Sequence, residues 1–387
     1  KNPDSPLAIN MRNVSSQSYR EQILTQLAGG VGPDVFRLGW ADVFPFMEQG
    51  QIIELDPLFA KHPNSWMRRP DLKKWILDGA RYRGKLYGTP MGGDMSSIFL
   101  NKSLFEKTGT PPPPESYKEE KYNSGWTWDH VLETAKKLTV RKGDGPPDQY
   151  GIDAIYNNTP SLVESFGGRT MSENSDEFFW HEEPATRGLQ WMADLRLKEK
   201  VAASAAEAQG GAFSFINGRL AMSWTFVSQL TYRTTDVKDK FNWDQAPWPH
   251  APGQKPKVMF WYSAWALNAK GTKRDDAFEW LHFVSGPEGT VPGIELGWEL
   301  PLFKDLDPQY NKRIAEWKKN ISPALEGLDV AITRHYYHHP RWSEAWRTFI
   351  NPALDEILVG KKTAAAAMKE IKPEVDKLFK EGAALMK

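Results

Sequence analysis

Apolar residues recur along this chain in two rhythms, short continuous runs and runs spaced three and four apart. The continuous runs at 7–11, 35–38 and 97–101 predict strands. Helical spacing places Tyr19, Ile23, Leu24 and Leu27 on one face of a helix over 18–28, which Gly29 and Gly30 end. Strand, helix, strand in that order predicts a parallel α/β sheet with a right-handed crossover. Ligands of such sheets sit beyond the carboxyl ends of the strands, which puts Trp40 and Asp42 where a ligand would lie. Further on, 84–90 reads as a hairpin turn followed by an extended crossing, and 102–107 as a short helix closed by Gly109. Pro111 to Pro114 force an extended connector. Thr127 then caps a helix carrying Trp128, Val131, Leu132, Ala135 and Leu138, with Asp129 favourable in its first turn. Pro184 starts another with Leu189, Met192 and Leu195. A helix over 274–285 carries Ala277, Phe278, Leu281 and Val284 and stops at Gly286-Pro287. The tail from 343 is mainly helical, with Pro352 and Pro373 marking breaks or new starts.

Length and composition narrow the classes. At 387 residues the chain is too long for one ordinary core and suits two lobes. Lysine plus arginine number 49 and aspartate plus glutamate 49, so the electrostatic footprint of a nucleic-acid binder is missing. The cysteine count of 0 removes disulfides, zinc-thiolate sites, iron–sulfur clusters and cysteine nucleophiles. No run approaches the ~18 consecutive apolar residues that cross a bilayer. Lys1-Asn2-Pro3-Asp4 reads as the interior of a longer sequence rather than a leader. The unusual feature is aromatic: 17 Trp, 12 Tyr and 19 Phe are more than core filling demands, and rings clustered in loops would offer flat faces to a ligand.

Several passages, in order, resemble the extracellular solute-binding proteins of family 1, which include the maltose- and oligosaccharide-binding proteins of ABC importers. They are Tyr19 with the stretch 27–35, then 85–90, then Leu100-Asn101-Lys102-Ser103-Leu104-Phe105 through Gly109. Next come the proline run with Trp126-Thr127-Trp128-Asp129, Ser165-Phe166-Gly167-Gly168-Arg169, the passage 213–222 containing Asn217-Gly218, and 278–289. Each is weak alone; their succession over nearly the whole chain is specific. Their glycines and the Asn-Gly turn are structural, so they identify a fold better than a substrate. Lys1 to Asp4 match the end of the family's first helix, so a strand and helix are expected ahead of residue 1.

The resemblance implies an α/β, two-lobed periplasmic-binding-protein fold of type II. Its lobes are discontinuous, 1–92 with 266–306 and 93–265 with 307–387, joined by crossings near 90–93, 263–266 and 304–308. It implies a ligand cleft that closes between the lobes. It also implies a monomer outside the cytoplasm, as a periplasmic protein or cell-surface lipoprotein, that serves membrane permease subunits. No cofactor, no metal, no nucleic acid and no catalysis are expected. A sugar offers flat C–H faces and a perimeter of hydroxyls, suited by Trp and Tyr faces and by charged hydrogen-bonding groups. Where both residue types meet at cleft positions of the family, the candidates are Arg37, Trp40, Asp42, Asp94, Trp224, Trp261, Tyr262, Trp265, Trp298, Glu299, Arg341 and Trp342, with Tyr336 and Tyr337 beside them. Blander readings stand against some. Trp126, Trp128, Trp191 and Trp280 have core spacing, Arg37 and Asp42 could pair with one another, and Trp261 and Trp265 could be core residues of crossing strands. His335, His338 and His339 lack a regularly spaced carboxylate, which favours a polar loop over zinc.

Two rivals remain. A glycoside hydrolase needs two opposed carboxylates about 5–10 Å apart; Asp94 and Glu299 could be cast so, without local support. A glycerol-3-phosphate-type polyol phosphate, a ligand known in the resembled family, would call for a cationic or amide-rich cleft.

Overall fold

The computed structural model describes residues 8–14, 18–143, 145–154, 159–208, 211–261, 263–333 and 339–386. The strands in chain order are β1 (Val35–Gly39), β2 (Arg81–Tyr82), β3 (Lys85–Leu86), β4 (Thr89–Pro90), β5 (Asp94–Asn101) and β6 (Tyr150–Ile152). They continue as β7 (Leu220–Phe226), β8 (Trp243–Ala246), β9 (Val258–Trp261), β10 (Ser263–Leu267) and β11 (Ala331–Thr333). Two compact units divide them: Lys1–Gly92, Tyr262–Val291 and Leu302–Asp305 make the first, and Gly93–Trp261, Pro292–Pro301 and Leu306–Lys387 the second.

In the first unit the sheet runs β1-β10-β4, antiparallel throughout. Phe36 and Leu38 alternate with Val35, Arg37 and Gly39, and Ala264 and Ala266 lie opposite the two apolar residues. One face of the sheet is therefore core, where Phe36 meets Phe46 at 6.0 Å. The helix Tyr19–Ala28 adds Ile23 and Leu27 to that core, and the helix Arg274–Val284 adds Ala277, Phe278 and Leu281. The hairpin β2–β3 turns through Arg83 (φ 50°) and Gly84 (φ 76°), the doubly positive pair that matches strand twist in a two-residue turn.

Two expectations fail here. Residues 8–11 are irregular, with Ile9 44% and Met11 76% exposed, instead of forming a strand. The sheet is antiparallel where a parallel one was expected, because β1 pairs with β10. An apolar run becomes a strand only when a neighbour takes up its N–H and C=O groups, and 8–11 find none among the described residues.

The second unit is built on a sheet of order β11-β9-β5-β7-β6, with β8 also paired to β5. β6 is parallel to β7, β11 is parallel to β9, and both β7 and β9 are antiparallel to β5. The other strands of this sheet thus all run toward the end at which β5 begins, where β7 and β9 finish. Helix signals read from the chain hold well in this unit. Asn101 Oδ1 accepts from the Leu104 N–H to cap Lys102–Thr108, which Gly109 closes at φ 64°. Thr127 caps Trp128–Leu138 through the His130 N–H, and Trp128, Val131, Ala135 and Leu138 are buried. Leu189, Met192 and Leu195 are buried along Glu183–Leu197. In the tail, Pro352 marks no new start: the helical backbone runs on from Trp342 through a π-helical stretch, Trp346–Ile350, into Asn351–Leu358. Pro373 marks no break: Ala364–Leu385 runs through it for 22 residues, supported on either side by buried Met368, Val375 and Phe379.

The units divide somewhat differently from the expected ranges. Ser263 to Trp265 ladder with β1 and β4 and so go with the first unit. Residues 292–301 go with the second, where Gly93 and Leu300 bond reciprocally.

Candidate functional site

The common edge of the second unit gathers several of the expected residues. Asp94 opens β5 opposite Trp261, the last residue of β9. Its Oδ1 accepts the backbone N–H of Met95 (2.9 Å) and of Ser228 (3.0 Å), and its Oδ2 accepts the Ser228 hydroxyl (2.6 Å). The Trp261 side chain donates to it as well. Burial pushes the carboxyl up to about 6, while these four donors pull it back. With its lone pairs so engaged, Asp94 positions the Trp261 ring and the turn at Ser228. Trp261 lies against Phe226, the last residue of β7, with centroids 3.8 Å apart.

Beside Asp94, Gly93 carries the segment containing Trp298 and Glu299, through the paired bonds with Leu300 (3.1 and 2.7 Å). A Cβ on Gly93 would come within 2.2 Å of Phe260 Cζ, so only glycine lets this segment approach. Gly297 is left-handed at φ 69°, and a Cβ there would strike Trp317. That turn presents Trp298 outward. Its ring, 39% exposed, stacks on Tyr232, 47% exposed, at 6.0 Å and 15° between planes. Tyr232 comes from the helix Gln229–Val237, which Thr231 ties to the Leu296 carbonyl. Glu299 is half-buried next to them.

Two further aromatic candidates lie in the core. Trp224 donates its indole N–H to the Asp153 carbonyl (3.1 Å) and packs on Trp128 and Trp248, each at 5.1 Å. Trp342 is buried among Trp180, Trp346 and Phe379. Trp224 is enclosed by these rings, and helix packing covers Trp342. Arg341, half-buried, donates its backbone N–H to His339 Nδ1 (3.2 Å). His339 is held by the Phe379 carbonyl at 3.0 Å, and burial lowers its pKa to about 4. His335, His338, Tyr336 and Tyr337 lie outside the described residues. Among the described residues no group of three or more His, Asp or Glu could hold a metal ion. Trp126 and Trp128 are core residues, whereas Trp191 and Trp280 are half-buried.

In the first unit, Arg37 and Trp265 lie opposite one another in the β1–β10 ladder, on the face away from the core. Arg37 Nη2 donates to Ser263 Oγ (2.7 Å), and its backbone N–H donates to the Tyr19 hydroxyl (3.1 Å). Asp42 is engaged by Arg20 Nε at 2.7 Å, so Arg37 and Asp42 have separate partners. The half-buried Trp265 ring has an enclosed Nε1 without a hydrogen-bond partner among the described residues. Trp40 starts a short 3₁₀ turn directly after β1, and its side chain is not described; Tyr262 lies outside the described residues.

Four residues escaped the sequence reading: Phe226, Ser228, Tyr232 and Asp153. Phe226 follows Trp224 by two, the strand period, and that was its available signal. Asp153, just after β6, accepts from Ser223 Oγ (2.8 Å) and the Trp224 N–H (2.9 Å), and burial pushes it up to about 7. Nothing local in the sequence marks Ser228 or Tyr232.

A two-unit α/β chain with aromatic rings and carboxylates at strand ends suits capture of a small solute. The model of the bacterial extracellular solute-binding protein family matches residues 1–291. The chain belongs to that family. Its fold is that of solved two-lobed binding proteins. One is an ABC substrate-binding protein of Listeria monocytogenes in complex with cycloalternan, with TM-score 0.82, 23% identity, 95% of this chain and 90% of that one covered. Another is the GacH receptor of Streptomyces glaucescens, solved unliganded and with acarbose, with TM-score 0.78, 19% identity and coverage of 96% and 90%. An uncharacterised lipoprotein of Streptomyces antibioticus is 22% identical over 371 residues, 91% of this chain and 75% of that protein. No helix among the described residues is long and apolar enough to cross a membrane.

Proposed function

We propose that this solute-binding protein captures a carbohydrate, an oligosaccharide, outside the cytoplasm and hands it to the permease of an ABC importer. The stacked, exposed Trp298–Tyr232 pair beside Asp94 and Glu299 carries the reading. Water-exposed parallel rings on a pinned turn are a costly arrangement for a core and a suitable one for the C–H face of a sugar. The Arg37–Trp265 face of the first unit is a second place where a ring and a donor meet. Two solved proteins of this fold are in complex with cycloalternan and with acarbose, which agrees with the assignment. The reading is of binding without catalysis: Asp94, its oxygens taken up by Met95, Ser228 and Trp261, is spent on holding Trp261 and the turn at Ser228.

A thermal-shift panel of mono- and oligosaccharides, with glycerol 3-phosphate as a separate arm, tests this. A true ligand at 100 Kd adds about 2.7 kcal/mol of apparent stability. An oligosaccharide is expected to stabilise most. A response to the phosphate ester alone would replace the sugar, and turnover of the saccharide would replace binding by hydrolysis.

A further inference from the structure

Within the second unit, away from the Trp298 edge, a cavity of about 380 Å³ is lined by Arg141, Tyr150, Arg196, Lys200, Ser204 and Glu207, with Ala202. It sits where β6 begins, at the outer strand of the sheet. Three of its side chains are cationic and one is anionic, in a chain whose charges balance at 49 against 49.

The one carboxylate is already satisfied by neutral donors. Glu207 Oε1 accepts the Tyr150 hydroxyl (2.7 Å), and Oε2 accepts the Ser204 N–H (2.9 Å) and hydroxyl (2.7 Å). Arg141 spends one Nη2 donor on the Lys200 carbonyl (2.9 Å), hydrogen-bonds the Tyr150 side chain while lying over its ring at 5.8 Å, and acts through space on Glu207. Arg196, in the last turn of Glu183–Leu197, has an enclosed Nε without a hydrogen-bond partner among the described residues. Asp153 is close enough to act on it through space, yet its oxygens are bonded to Ser223 and Trp224 instead. Burial lowers the Arg196 pKa, the cost of enclosing a guanidinium whose donors are incompletely used.

Three cationic side chains against one hydrogen-bonded carboxylate around a cavity of this size call for a group rich in acceptor oxygens and carrying negative charge. We propose that this cavity is an oxyanion site, taking a phosphate- or sulfate-type group between Arg141, Arg196 and Lys200. It is independent of the saccharide reading and lies at a different part of the same unit.

Isothermal titration of the full chain with inorganic phosphate, and separately with sulfate, at constant ionic strength tests it. One saturable site is expected for at least one anion, and the tighter of the two names its ligand. Arg196→Met is expected to weaken binding about tenfold, the scale of one lost charged hydrogen bond. Lys200→Met, at an exposed position, should weaken it by a smaller factor with the fold unchanged by circular dichroism. If Arg196→Met fails to fold, the Lys200→Met titration decides. Absence of saturable heat with both anions, or affinities unchanged in the folded variants, overturns the proposal.

Discussion

Two tryptophan environments of the second unit stand in contrast, a buried cluster around Trp128 and the exposed ring of Trp298. Trp128 is 0% exposed, touches Trp191, Trp224 and Trp248, and gives its N–H to Ser165 Oγ at 3.0 Å. Trp126 gives its own to the Pro247 carbonyl at 2.7 Å. In these members of the cluster the polar atom is accounted for and the ring faces are consumed by neighbours. Trp298 is 39% exposed and, among the described residues, has Tyr232 as its ring partner. The lesson is that abundance of tryptophan says little about ligand; the free face and the rigidity of its support do.

The sharpest way to break this division is to truncate one ring of each kind. Trp128→Ala removes an indole from a packed cluster and should cost about 3–5 kcal/mol of stability, read as a large drop in melting temperature. Trp298→Ala should leave stability within about 0.5 kcal/mol. The same change should weaken saccharide binding roughly tenfold, the scale of a lost stacking contact, by calorimetry. Equal melting losses in the two variants would collapse the distinction.

A smaller effect should mark Asp94, which stands between the two environments by holding Trp261. Its folded pKa of about 6 lies above the ordinary value of 3.8. Protonation therefore favours the folded state, and the stability this group contributes at low pH is lost as pH rises through 6. Urea unfolding of wild type against Asp94→Asn should show the wild type losing ground between pH 4 and pH 6, with a flat difference above. A difference that grows in the wild type's favour over that window would contradict the burial of this carboxyl.

Helices were legible because their signals are local. Asn101, Thr127 and Gly109 sit at caps that depend on a turn of chain and little else. Partnership in sheets was not, since β1 finds its neighbour far along the chain and 8–11 find none described. The candidate residues split along the same line. Asp94, Trp261, Trp298 and Glu299 gather at one edge because strand ends can be located from runs and turns. Trp224 and Trp342 lie in the core instead, since which way a ring points depends on the partner's register and packing. Tyr232 was invisible because only the tertiary fold brings its helix against the Gly297 turn.

The pairing of Arg37 with Ser263 spans 226 residues of sequence. During synthesis from the amino end, β1 must wait with an open edge until most of the chain has been made. Contacts this distant in sequence make for slow folding and a long exposed interval. The sheet of the first unit therefore closes only after the intervening stretch of the second, Gly93–Trp261, has been made.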